Sequence, residues 1–146
     1  MVVTLDTDVI IYAFHSRRGA SHKIMRLIRN GDLTMALSVP VFHEYREVML
    51  REQKKMLLEL GQEEIDVILE FIVTVAKPTD VTYRWRPNLR DEADNMFVEL
   101  ARASASRYLV TQNIRDFLQD ADLKNDDLDI VTPADFISRW RQYYGE

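Results

Sequence analysis

The sequence predicts a three-layer α/β domain on a mostly parallel sheet, and three features predict it. Short apolar runs recur along the chain, longer segments of helical period separate them, and the first run passes directly into a helix. Read in order, the chain yields five such strands.

The opening VVTLDTDVIIYAF gives a buried strand over Val2–Leu5, a turn over Asp6–Asp8 and a helix from Val9 onward. After a polar break at Arg17, Arg18 and Gly19, Ser21 is placed to cap a helix whose Ile24, Leu27 and Ile28 share a face; Asn30 and Gly31 stop it. Leu33–Leu37 is the second strand. Pro40 suits the first turn of the next helix, where Val41, Tyr45, Val48 and Met49 line one side. Gly61 marks a break, and Glu63 and Glu64 head a helix through about Phe71, where negative charge suits the helix dipole.

Val73–Ala76 is the third candidate strand. The Arg-rich segment PTDVTYRWRPNLRDE is irregular and leads into a helix from about Glu92 to Ser104, with Phe97, Leu100, Ala101 and Ser104 along one side. RYLVT supplies the fourth strand. Residues Gln112–Asp127 are polar and loop-like with room for one helical turn, and Leu128–Val131 is the fifth strand. Thr132 and Pro133 start the last helix, with Asp135 completing a pair of capping-box type.

Composition bounds the function. A chain of 146 residues with 47% hydrophobic residues suits one domain with one core. The absence of cysteine excludes a disulfide scaffold, a thiolate metal site and a cysteine nucleophile. No signal-like N terminus is present, and the expected compartment is the cytoplasm. The apolar stretches Val9–Phe14 and Ile65–Ala76 fall short of the roughly 20 residues a membrane helix needs, so no membrane partner is expected. A net charge of −5 argues against holding duplex nucleic acid by bulk electrostatics alone. A metal-dependent phosphodiesterase stays open, because its carboxylates lower the formal charge and bound cations reverse the local sign.

In an open α/β sheet the ligand crevice lies beyond the carboxyl ends of the strands, and acids cluster at such ends here. Asp6 follows the first strand; alone it reads equally well as a turn or cap aspartate. Asp8, two residues on, has a helix-capping reading. Glu44 lies one turn into the Pro40 helix and borders its apolar stripe, whereas Glu47 reads as solvated. Asp91 and Asp94 stand three apart at the mouth of the Phe97 helix; Asp91 is explained as a cap, Asp94 less easily. Thr111, Asn113 and Asp116 follow the fourth strand. His15, His22 and His43 have no zinc-ligand spacing, and His43 reads as a surface or supporting residue. Each acid is ordinary alone; four acid-bearing positions at four element ends of one sheet suit Mg²⁺ or Mn²⁺, which want several oxygen ligands and can activate water against a phosphodiester.

The quoted segments LDTDVIIYAF, SVPVFHEYREVM, RDEADNMFVELA and YLVTQNIRDF, in that order across residues 3–118, resemble the PIN-domain family, in particular its toxin-like bacterial and archaeal (VapC-like) branch. The resemblance implies an α/β/α fold with a five-stranded parallel sheet, Mg²⁺ or Mn²⁺ dependence and endoribonuclease activity blocked by a cognate antitoxin. It further implies Asp6, Glu44 and Asp94 as metal-holding catalytic acids, and a homodimer.

Two positions depart from the family pattern. Asp8 stands where Asn is usual, and Asn113 stands where many members have a fourth Asp, which leaves either weaker metal affinity or a role for Asp116. Thr7, Ser38, Asp91 and Thr111 are candidates to orient ligands or waters, although Ser38 has an equal reading as the cap of the Pro40 helix. For RNA contacts the candidates are Arg17, Arg18, Arg84, Trp85, Arg86 and Arg90, since Arg with aromatics suits phosphate binding and base stacking; Trp85 reads equally as cover for the core.

Two rivals stand beside this reading. LDTDV also fits the start of haloacid-dehalogenase-type phosphatases, but Lys124 with Asp126 and Asp127 is too compressed to supply that family's distant Lys and late acidic pair. The other rival is a degenerate PIN module that only binds RNA or a protein partner, which Asn113 leaves open.

Overall fold

The computed structural model describes residues 1–81, 92–117 and 128–145, with residues 92–94 described by their backbone. Five strands, β1 (Val2–Leu5), β2 (Thr34–Leu37), β3 (Lys77–Pro78), β4 (Tyr108–Val110) and β5 (Asp129–Val131), form one sheet in the order β3-β2-β1-β4-β5. Every pairing is parallel: Val3 faces Met35 on one side and Tyr108 on the other, and Leu109 faces Ile130.

The helices are α1 (Thr7–His15), α2 (Ala20–Arg29), α3 (Val39–Met49), α4 (Glu52–Leu58), α5 (Gln62–Val75), α6 (Glu92–Ala103), α7 (Ile114–Phe117) and α8 (Pro133–Tyr144). Parallel neighbours need crossovers, and the helices that supply them cover the sheet in two groups. Helix α2 packs against α1 and α8, while α6 lies across β1, β2 and β4 with α3 against it and α5 on β2. Val3, Thr4 and Leu5 are all fully buried although successive side chains of a strand point to opposite faces. Layers on both sides of β1 account for this, as the predicted three-layer α/β/α class requires.

Central strand β1 is the hinge of the topology. From it the chain steps outward through β2 to β3, then crosses back to β4 and β5 on the other side. The strand order therefore reverses between β1 and β4, and the ends of such neighbours open a crevice.

Several sequence expectations are corrected. The run Val73–Ala76 is not a strand: Ile65, Leu69 and Ile72 carry one buried helical face onward, so α5 continues to Val75 and leaves β3 only Lys77 and Pro78. Ser21 is not a cap, because α2 begins two residues earlier than that role requires, with Gly19 at its N-cap, and Ser21 joins Ile24, Met25 and Ile28 on the buried side. Helix α1 starts at Thr7 rather than Val9, with Asp6 as its N-cap. Helix α4 was not expected; it buries only Leu58 and so offers no apolar periodicity.

Other signals are met. Gly31 ends the α2 region with φ +84°, a conformation that disfavours a Cβ. Ser38 caps α3 by accepting from Val41 N–H at 3.3 Å, and Thr132 caps α8 by accepting from Asp135 N–H at 3.1 Å. Among the described residues of the polar stretch after β4, Ile114–Phe117 form one helical turn, α7.

Candidate functional site at the ends of β1 and β4

The last residue of β1 is Leu5, and Asp6 extends the ladder by donating its backbone N–H to Val110 O of β4 at 2.9 Å. Its carboxylate is thereby fixed over the seam between the two strands. Asp6 is 9% exposed, and each oxygen accepts one hydrogen bond: Oδ1 from Thr7 N–H at 2.8 Å and Oδ2 from the Thr111 hydroxyl at 2.7 Å. Thr111 is itself held, because its N–H donates to Val131 O and its Oγ1 accepts from Asn113 N–H at 3.0 Å. Asn113 then returns to the β1 side by donating Nδ2 to Asp8 Oδ2 at 3.3 Å. Residues after two neighbouring strands are thus stitched together.

The electrostatics are those of a carboxylate in need of a cation. Burial is the main cause that pushes the Asp6 carboxyl up to about 6, with the charges of Asp8 and Asp116 adding to it. The bonds from Thr111 and Thr7 oppose the shift without cancelling it. A divalent ion at this point would relieve both the burial cost and the like-charge repulsion. The donors are all oxygens, which fits a hard cation and not a soft one.

Helix α3 is tied to the same strand end through Tyr45. Tyr45, fully buried, donates its hydroxyl to Leu5 O, one residue before Asp6, and its ring packs against Phe97 of α6 with centroids 6.2 Å apart. Burial, with the charge of Asp6 as a second cause, holds the Tyr45 hydroxyl protonated far above neutral pH, so it acts only as a donor to that carbonyl. Glu44, its neighbour in sequence, is half-buried. Asp94 lies in the first turn of α6, and its side chain is outside the described residues.

Among the described residues no three acidic or histidine side chains close around one point. Those brought together are Asp6, Thr7, Asp8, Thr111 and Asn113, with the charge of Asp116 felt at Asp6 although its side chain is exposed. Asp91, Arg84, Trp85, Arg86 and Arg90 lie outside the described residues. Arg17 and Arg18 are exposed beyond the far end of α1, whose nine residues rise about 14 Å from the Asp6 cap. His43 is exposed, and Ser38 is engaged as a cap. A cleft of about 520 Å³ lies elsewhere, between α3 and α5, lined by Phe42, Arg46, Leu69 and Val73 among others. Asp6 and Asp8 do not line that cleft.

The sequence places Tyr45 only on the apolar side of α3 and assigns Asn95 no role. Asn95 of α6 is 4% exposed, and its Oδ1 has no hydrogen-bond partner among the described residues. A polar residue inside the apolar stripe of a helix is the signal that marks such positions.

A sequence profile of the PIN domain matches residues 2–115, most of the chain and all the elements that build this edge up to the first residues of α7. The chain belongs to the PIN-domain family. Among solved structures, this PIN domain is similar to a chain of VapBC2 from Rickettsia felis bound to a DNA fragment from their promoter, with a TM-score of 0.60 and 20% sequence identity over 90% of this chain and 98% of that one. That likeness concerns the fold. No curated protein matches the sequence. The phosphatase alternative loses its support, since the motif that suggested it lies within the matched PIN region.

Proposed function

We propose that this PIN domain is a metal-dependent endoribonuclease and the toxin half of a toxin–antitoxin pair. One observation carries the reading: a buried carboxylate, Asp6, stands at the β1–β4 reversal point of a PIN domain, held above its ordinary proton affinity by burial and by two further aspartates. The likeness to a chain of VapBC2 supports a protein partner of antitoxin type.

In this reading Asp6, Glu44 and Asp94 hold Mg²⁺ or Mn²⁺, with Asp116 beside them. When bound, the ion supplies the positive charge that lets water attack a phosphodiester and stabilises the charge that develops on phosphorus oxygens. The chain's own residues do the positioning. Thr7 N–H and the Thr111 hydroxyl each occupy one lone pair of Asp6, which fixes the carboxylate plane and leaves its remaining lone pairs for the cation. Tyr45 ties α3 to the end of β1, so that Glu44 is carried on a helix anchored beside Asp6. The backbone N–H of Asp6, committed to Val110 O, keeps the strand end from moving as charge changes.

The test is incubation of the purified protein with single-stranded RNA in Mn²⁺ or in a chelator, beside Asp6→Asn. Cleavage by the wild type alone, and only with metal, is the expected result. Equal cleavage by Asp6→Asn would reject the assignment. Asn113, an amide where many family members carry an acid, favours a second reading in which the domain binds RNA or a protein partner without cutting; absence of Mn²⁺ binding in a calorimetric titration of the wild type would make that the better account.

A further inference from the structure

Residues 9–31 hold Arg17, Arg18, Lys23, Arg26 and Arg29 and not one Asp or Glu, in a protein whose net charge is −5. The fold puts the last three on one surface. Helix α2 buries Ser21, Ile24, Met25 and Ile28 on one side, and a step of about 100° per residue sets His22, Lys23, Arg26 and Arg29 on the other. Arg26 and Arg29 are exposed, His22 and Lys23 are half-buried, and Arg17 and Arg18 are exposed in the turn that leads into the helix. None of the five cations pairs with an acid among the described residues, whereas Arg51, Lys55, Arg107 and Arg139 all do. This surface stands away from Asp6. Asp6 follows the carboxyl end of β1, whereas only residues 30–33 separate the end of α2 from the amino end of β2. His22 Nδ1 donates to Ala13 O at 3.0 Å, which pins α2 against the far half of α1.

Three kinds of anionic partner compete for such a face. A membrane surface takes a basic amphipathic helix by its apolar side, and that side of α2 is already buried in the core. A small anionic ligand needs an enclosed site; the dent between α2, α1 and α5 measures about 80 Å³, against the roughly 300–1,000 Å³ of ligand pockets. What remains is a polyanion laid along the surface. The dent is lined by the half-buried rings of Phe14 and Phe71 beside His22, Arg26 and Arg29, with no acid among its lining residues. Guanidinium groups fork onto phosphate oxygens, and aromatic rings give bases a face to stack on; RNA offers both chemistries, an acidic peptide only the charge.

We propose that the basic face of α2, with Lys23, Arg26 and Arg29 at its centre, is an RNA-backbone contact surface separate from the edge at Asp6. The inference rests on the ribonuclease reading above and adds where the substrate is held beyond the point of cleavage. His22 to Arg29 span about 10 Å of helix axis, long enough for the cations to meet more than one phosphate of a strand. Contacts of this kind position a strand without reading its sequence.

The experiment is fluorescence anisotropy of a labelled single-stranded RNA of mixed sequence with the full chain, in a chelator so that no metal-dependent cleavage intervenes, over a series of salt concentrations. The proteins are the wild type, Lys23→Gln/Arg26→Gln/Arg29→Gln, Arg26→Gln alone, and Arg51→Gln/Lys54→Gln/Lys55→Gln at α4 as a control with the same charge change. Gln keeps the helix propensity of the residues it replaces. The triple α2 variant should bind RNA about tenfold or more weakly, with a slope of log affinity against log salt shallower by about 2, as the loss of three single-strand phosphate contacts requires. Arg26→Gln alone should lower the slope by about 0.7, and the α4 variant should match the wild type. Wild-type affinity and slope in the α2 variants, or an equal loss in the α4 variant, would overturn the proposal, as would a wild type that binds labelled polyglutamate and no RNA. With Mn²⁺ added, a cleaving wild type whose α2 variant binds and cuts equally well overturns this inference alone, whereas a wild type that binds RNA through α2 and does not cut overturns the nuclease reading alone.

Discussion

The Thr111 hydroxyl donates to Asp6 Oδ2 across 2.7 Å, joining the residue after β4 to the residue after β1 over a sequence separation of 105. This bond crosses the point where the strand order reverses, and it gives the carboxylate both an orientation and a partial remedy for its burial. Replacing Thr111 by Val keeps the shape and removes the donor. It also deprives Asn113 N–H of its acceptor. The expected loss is about 1–3 kcal/mol of stability, read by chemical denaturation. Because this bond lowers the Asp6 proton affinity, the variant should also need a higher pH than the wild type to bind Mn²⁺.

The pH dependence follows from Asp6. Its carboxyl is held near 6 in the folded chain, above the ordinary 3.8, so the native state retains a proton that the unfolded state has released over that interval. Stability from the protonated carboxyl is therefore fully present below 3.8 and is lost as pH rises through about 6. The loss is about 3 kcal/mol, from the two proton affinities. Metal binding runs the other way and should strengthen as pH rises through the same window. Asp6→Asn should melt at a higher temperature than the metal-free wild type at pH 8 and show no such pH trend, as scanning calorimetry across pH 4–8 would reveal (about four pH units bracketing the shift).

Tyr45 tests the anchoring of α3. Tyr45→Phe keeps the buried ring against Phe97 and deletes the hydroxyl on Leu5 O. A cost of about 1 kcal/mol is expected for the hydrogen bond. If the tie positions Glu44, cleavage should fall further than this stability change explains, at temperatures where the variant is fully folded. Unchanged turnover at equal folded fraction would separate Tyr45 from the site.

Ala105 lies between α6 and β4 with φ +56°, a left-handed conformation that costs an L-residue roughly 1–2 kcal/mol. Ala105→Gly should relieve most of this and stabilise the protein by about 1 kcal/mol, measured as a raised denaturation midpoint. The turn is held by Ser106 N–H on Ala101 O and by a buried chain of hydroxyls from Ser104 through Ser106 to Thr4 of β1. Those bonds explain how the strained conformation is maintained.

Legibility in the sequence followed the physics of each signal. The run Val3 to Leu5 is apolar but for Thr4 and announces a strand covered on both faces, and Pro40 with Ser38 before it announces the start of α3. The placement of Asp6 and Thr111 at strand ends on one edge of the sheet was legible because a strand end in a parallel sheet has one known edge; that their strands are neighbours was not. What was not legible depends on contacts distant in sequence. Val73 and Val75 have strand-like side chains, but the buried face of Ile65, Leu69 and Ile72 outweighed that preference. Ser21 has the chemistry of a cap and lost the role to Gly19 because core packing set the phase of α2. The bond between Asn113 and Asp8 exists only once β1 and β4 lie side by side.

On the proposed function, carboxylates from separate elements converge on one divalent cation at the carboxyl ends of β1 and β4. Anomalous diffraction from crystals grown or soaked with Mn²⁺ tests it most directly. An anomalous peak at about 2 Å from an Asp6 oxygen, with the Glu44 and Asp94 carboxylates turned toward it, is the expected result. A fully occupied manganese elsewhere, or an Asp6 carboxylate without metal at saturating Mn²⁺, would contradict it.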